Sequence, residues 1–221
     1  MNSVVKFLAF TFVLGLPACK SYEASKDAGS RTLSAEVSPG ESYDLSETIY
    51  DASHLPNPNA GARDYLSVNI DFNQVKPVFE MARERLGLDL KNRGEAHITL
   101  ITPPEYAVLK RKLSREDILA AVNNESLQQA AFEVKCVGKG TIHDRGGDKS
   151  TVYLVVQSPD LVERRRSLRN QFESNGGRAG DFDADRFFPH ITVGFTERDL
   201  HESDGVIKNT DSCVAPVKFV P

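Results

Sequence analysis

The chain has 221 residues, of which 40% are hydrophobic and 26% charged, and its formal net charge is −4. That length and apolar content suit one globular domain with a real core. The mildly acidic balance excludes a broad duplex-binding face, which would need a basic stripe, and favours a small or single-stranded ligand held by a few local cations.

At the amino terminus Lys6 precedes an apolar run over residues 7–16, followed by Leu16-Pro17-Ala18-Cys19. The run has the length of a secretory signal and is too short for a comfortable membrane span. Leu16, Ala18 and Cys19 resemble a bacterial lipobox, from which Pro17 departs. Cleavage there removes residues 1–18 and leaves Cys19 as the lipidated residue of an exported cell-envelope lipoprotein. Lys20, in place of an Asp, points to the outer membrane of a Gram-negative cell. Ordinary signal cleavage and secretion is the alternative, and the bulky Leu16 disfavours it. Residues 19–63, rich in Ser, Glu, Asp, Pro and Gly, read as a largely flexible tether with a short docked segment near residues 43–50. The folded domain is expected over residues 64–221.

Residues 65–71 alternate as a strand, residues 74–86 read as a helix, and a second strand follows around His97, ended by Pro103-Pro104. Ser114 is placed as the N-cap of an amphipathic helix reaching about Ala131. Residues 132–142 and 151–157 read as strands joined by a turn over residues 144–150. Ser158-Pro159 then opens a helix to about Ser174, with Ser at the N-cap and Pro at the first helical position. A glycine-rich loop, Gly176-Gly177-Arg178-Ala179-Gly180, precedes a last strand around His190. The basic clusters Lys110-Arg111-Lys112 and Arg164-Arg165-Arg166 read as solvated helix faces.

The word His-Ile-Thr occurs twice, at His97-Ile98-Thr99 and His190-Ile191-Thr192, each time in a strand-like run. Positions i and i+2 of a strand share a face, so each His is a neighbour of its Thr, roughly 6–7 Å away at Cα, while the Ile points into apolar packing. Two such faces opposed make a pocket with two imidazoles and two hydroxyls. That set suits proton transfer at a phosphate ester: one imidazole accepts a proton, the other donates one, and the hydroxyls hold non-bridging oxygens. The chemistry needs no cofactor and no metal. A metal loop of His143, Asp144 and Asp148 is rejected, because neither calcium-loop carboxylate spacing nor a helical His pair is present.

With these two words and their context, Arg93-Gly94-Glu95-Ala96-His97-Ile98-Thr99-Leu100 and Phe188-Pro189-His190-Ile191-Thr192-Val193-Gly194-Phe195, the chain resembles the 2H phosphoesterase superfamily, most closely its Swiss Army Knife branch. The resemblance covers about residues 65–208. It implies an α+β fold of two pseudo-symmetric lobes, each of antiparallel sheet plus helices, around a central cleft. It also implies metal-independent action on 2′,3′-cyclic phosphates, RNA ends or related phosphodiesters. His97 and His190 take the acid and base roles under it, and Thr99 and Thr192 bind phosphate.

Around these four residues, Tyr106 and Phe188 are candidates for stacking on a nucleobase, and Arg93 is a cation just before the first word. Glu95, two residues before His97, is placed to orient or tune it, and His201 with Asp199 borders the cleft after the second. Cys136 and Cys213 remain as an even pair in an oxidising compartment, either as a disulfide or as two buried thiols. The expected partners are a nucleotide or RNA-end substrate and the membrane reached through Cys19, with no duplex nucleic acid, for a monomeric enzyme. The competing class is a non-catalytic binding lipoprotein that keeps the same fold; retention of both histidines and both threonines favours the enzyme.

Overall fold

A computed structural model describes residues 42–61 and 63–221. In chain order its strands are β1 (Tyr43–Ser46), β2 (Leu66–Ile70), β3 (Ala96–Ile101), β4 (Glu133–Asp144), β5 (Gly147–Gln157), β6 (His190–Phe195), β7 (Cys213–Ala215) and β8 (Val217–Val220), and its α-helices are α1 (Phe72–Leu86), α2 (Pro103–Leu109), α3 (Arg115–Ala121) and α4 (Pro159–Ser174). Strands β2-β3-β6-β5-β4-β7, in that order, form one antiparallel sheet, and β1 pairs in parallel with β8. The fold is therefore α+β. Two strand-helix-strand units, β2-α1-β3 and β5-α4-β6, each contribute their second strand to the sheet centre. There β3 and β6 run antiparallel with Ile98 opposite Ile191.

Local chemistry explains both helices of these units. Asp71 caps α1 by accepting from the Asn73 amide, Val75, Val78 and Ala82 turn to the core, and Gly87 ends the helix in a left-handed conformation. Ser158 caps α4 by accepting from the Leu161 amide, with Pro159 at the first turn, and Leu161, Leu168 and Phe172 form its buried stripe. Ile98 and Ile191 are 0% exposed. Burying each contributes on the order of 1.5–3 kcal/mol, which holds the two central strands in one register.

Several boundaries depart from the sequence reading. Strand β3 does end before Pro103-Pro104, but the two prolines also begin α2, a helix the sequence reading did not place: Thr102 is its N-cap and Glu105 closes a reciprocal capping box, an arrangement in which proline fits the first turn. The helix from Ser114 stops at Ala121, because Asn123 takes a left-handed conformation (φ 47°) and a 3-10 turn follows. The turn between β4 and β5 is only Arg145-Gly146, since Asp144 already pairs with Gly147. The folded unit also begins earlier than residue 64. Tyr43, Leu45, Ile49 and Ala52 are buried in the main core, because β1 joins β8 from the far end of the chain. A disulfide joins Cys136 of β4 to Cys213 of β7, with Cα atoms 5.8 Å apart. The proposed signal peptide and Cys19 lie outside the described residues.

Candidate active site

Because Ile98 and Ile191 face each other into the core, His97, Thr99, His190 and Thr192 all fall on the opposite face of the sheet centre. The antiparallel register sets His97 across from Thr192 and Thr99 across from His190, so each histidine neighbours the other strand's threonine. All four line one cavity of about 500 Å³, a size suited to a small ligand. Pro103, Pro104, Phe187, Phe188 and Phe195 form its apolar wall, and Arg93, Glu95, Arg186, His201 and Glu202 lie along its polar side.

The segments around the two strands are fixed by specific contacts. Gly94, at φ 68°, makes the turn into β3, with its amide donating to Asn92 Oδ1 at 2.9 Å. Lys91 pairs with Phe195 through both backbone bonds, which brings Arg93 over the Phe195 ring. A Cβ at Gly194 would crowd the Lys91 carbonyl and the Phe79 ring at 3.0–3.1 Å, so glycine favours the close approach of this segment to β6.

The two histidines differ in their surroundings. His190 Nδ1 lies 2.8 Å from the Phe188 carbonyl oxygen, and its Nε2 lies 3.1 Å from Lys208 Nζ. Lys208, 3% exposed, also donates to Asp199 Oδ1 at 2.7 Å, and Thr192 Oγ1 donates to Asp199 Oδ2 at 2.9 Å. Withdrawal from solvent, reinforced by the Lys208 charge, pushes His190 down to about 3. Burial raises the Asp199 carboxyl, but Lys208 overcomes it and holds Asp199 below its ordinary value. Desolvation in turn lowers Lys208, with Asp199 opposing. The His97 side chain has no hydrogen-bond partner among the described residues, and its ring lies 6.3 Å from that of Tyr65 between centroids. Burial lowers it too, against the opposing charges of Glu95 and Asp199. No cluster of three or more metal-ligating side chains is present among the described residues.

Of the residues expected at the site, His97, Thr99, His190, Thr192, Arg93, Phe188 and His201 line the cavity. Tyr106 does not. Its ring is 2% exposed in the core and its hydroxyl accepts from Arg115, because α2 turns that face inward; a stacking role for Tyr106 is corrected accordingly. Arg165 is a second correction, since it is no part of a solvated face. It is 1% exposed, donates to the carbonyl oxygens of Ala184, Leu100 and Asp183 and to Glu105, and lies over Phe182 and Phe187. Its place on the stripe of Leu161, Leu168 and Phe172 was a usable signal. Lys208 carried none, being a lone lysine between Ile207 and Asn209.

An α+β fold whose two central strands each present His-x-Thr to one cavity defines a two-histidine phosphoesterase. Comparison with protein families matches residues 64–201 to the Swiss Army Knife 2H phosphoesterase domain, more than half of the chain, and the protein belongs to that family. It is accordingly a phosphoesterase of the hydrolase class. No curated protein and no solved structure matched the chain.

Proposed function

We propose that the protein opens 2′,3′-cyclic phosphates of nucleotides or RNA ends by metal-independent general acid/base catalysis. The observation that carries this reading is the pair of His-x-Thr faces on adjacent central strands, turned into one cavity of nucleotide size. Neutral His190 accepts a proton from water as its oxygen attacks phosphorus. The bond from phosphorus to one ribose oxygen breaks, and protonated His97 donates to that oxygen. The anionic substrate favours the imidazolium of His97, whose lowering in the free site comes first from burial. The Thr99 hydroxyl, unpartnered among the described residues, is free to donate to a non-bridging oxygen, and Phe187, Phe188 and Phe195 offer aromatic faces to a base.

Turnover of a panel of 2′,3′-cyclic nucleotides in excess EDTA tests this, beside His97→Ala and His190→Ala. Turnover that survives EDTA and is lost in both variants is the expected result. A folded wild-type protein that opens none of the panel, or one that EDTA inactivates, overturns it.

The address belongs to the same proposal: export, lipidation at Cys19 and attachment to the cell envelope, with the outer membrane favoured. The lipobox-like residues 16–19 support it, as does a disulfide, which persists in oxidising compartments. Mass spectrometry of the mature amino terminus decides it. Acylated Cys19 is expected, and a free amino terminus elsewhere removes the claim.

A further inference from the structure

We propose that Lys208 is a third reacting-site group, a cation that caps His190 Nε2 in the free cavity and passes its hydrogen bond to a non-bridging phosphate oxygen when substrate binds. For its substrate this rests on the phosphodiesterase reading above.

Hydrogen-bond chemistry alone fixes the proton positions around His190. The Phe188 carbonyl oxygen can only accept, so Nδ1 carries the proton. A lysine ammonium can only donate, so Nε2 holds a lone pair. His190 is thereby kept neutral in the Nδ1–H tautomer, with the cavity-side nitrogen ready to take a proton. This assigns it the base role and leaves the acid role to His97, whose ring nitrogens have no partner among the described residues.

Lys208 suits phosphate for a separate reason. Lysine is rarely buried to 3% exposure without a role, because a buried ion pair seldom improves on an apolar one. Its ammonium has three donors and two hydrogen-bond partners, Asp199 and His190, and it sits 5.2 Å from the centroid of the Tyr153 ring. It lines the cavity beside Thr192. Swinging one donor from Nε2 to phosphate releases the lone pair, so substrate binding and activation of the base become one event. Asp199 is the positioning residue: it holds Lys208 through one oxygen and Thr192 through the other.

The charged and titratable groups around His190 are Lys208, Asp199, His201 and the Tyr153 phenol. Lys208 lowers the histidine by its charge, and Asp199 opposes it. Removing the cation must therefore raise the His190 midpoint.

The test uses ¹⁵N-histidine NMR and inorganic phosphate as the probe, on wild-type protein, Lys208→Met and Lys208→Arg. Wild-type His190 should be the Nδ1–H tautomer with a midpoint far below the ordinary value of about 6.5, and phosphate should shift its Nε2 signal. Lys208→Met should raise that midpoint and weaken phosphate binding and KM by about ten- to hundredfold. Lys208→Arg should keep much of both. An Nε2–H tautomer in wild-type protein overturns the proposal whatever the variants do, and so does a Lys208→Met protein with unchanged midpoint and phosphate affinity. Wild-type protein that binds phosphate through Lys208 yet opens no cyclic phosphate supports the lysine's role and removes the phosphodiesterase reading instead.

Discussion

In the β3 half of the site, His97 and Thr99 make no side-chain hydrogen bond among the described residues, whereas in the β6 half His190 and Thr192 are tied to Phe188, Lys208 and Asp199. The residue pattern is duplicated and its surroundings are not. After β3 the chain turns at once into α2, with Thr102 and Glu105 closing a capping box. After β6 it runs through a loop in which Arg198 grips Asp204 with two bonds and the Leu200 amide donates to the buried Thr151 hydroxyl. That loop sets Lys208 against His190 Nε2, with Asp199 holding both Lys208 and Thr192. Two identical words therefore meet different surroundings, His190 bonded through both ring nitrogens and His97 through neither among the described residues, which is the asymmetry that the proposed base and acid need.

The sharpest way to break this contrast is to remove each histidine in turn. His97→Ala and His190→Ala should each lower kcat by about 10²–10⁴-fold without unfolding the protein, measured by steady-state turnover and circular dichroism. Equal retention of activity in both would end the division of roles. Arg165 ties the halves together, reaching from α4 to the Leu100 carbonyl of β3. Arg165→Met removes the guanidinium from the Leu100, Ala184 and Asp183 carbonyl oxygens and from Glu105 Oε1, and should cost about 3–5 kcal/mol in urea unfolding. The disulfide anchors the chain just beyond Lys208 against β4, and replacing Cys136 and Cys213 by Ser should cost about 2–5 kcal/mol in the same experiment.

Smaller effects sharpen the comparison. Thr99→Val should raise KM about tenfold, the loss of one hydrogen bond to a charged group. Thr192→Val acts through Asp199, so its effect should appear in the pH profile as well as in KM. The pH dependence of kcat/KM follows from the two lowered histidines. As the proposed acid, His97 must be protonated, so kcat/KM should fall as pH rises through a midpoint below about 6.5. The base, His190, must be neutral, so the acid limb should lie near its value of about 3. Reversal of the limbs by the two histidine variants would exchange the roles.

Much of the fold was legible because its elements carry clean periodicity. Strands β2, β3 and β6 and helices α1 and α4 were read from alternation and capping residues close to their observed bounds. Helix α2 was missed because Pro103-Pro104 is equally a turn signal and a helix start, and the Glu105 capping box decides between them. The β1–β8 pair was out of reach because Tyr43 meets Val217 across almost the whole domain, and parallel pairing leaves no local mark. At the site, His97 and His190 were legible as a repeated word at strand spacing, whereas Tyr106 was read as a lone aromatic and placed wrongly, since an aromatic residue's helix face is set by what the helix packs against.

By itself the sequence determined which side chains share a face: a period of two puts His and Thr of each word on one side of the strand, and the buried Ile between them fixes which side. Only the tertiary structure decided what surrounds each histidine. Protonation is set by neighbours within a few ångströms, and the chain just before β6 brings the Phe188 carbonyl, and the chain after β6 brings Lys208, into hydrogen-bond reach of His190 and not of His97.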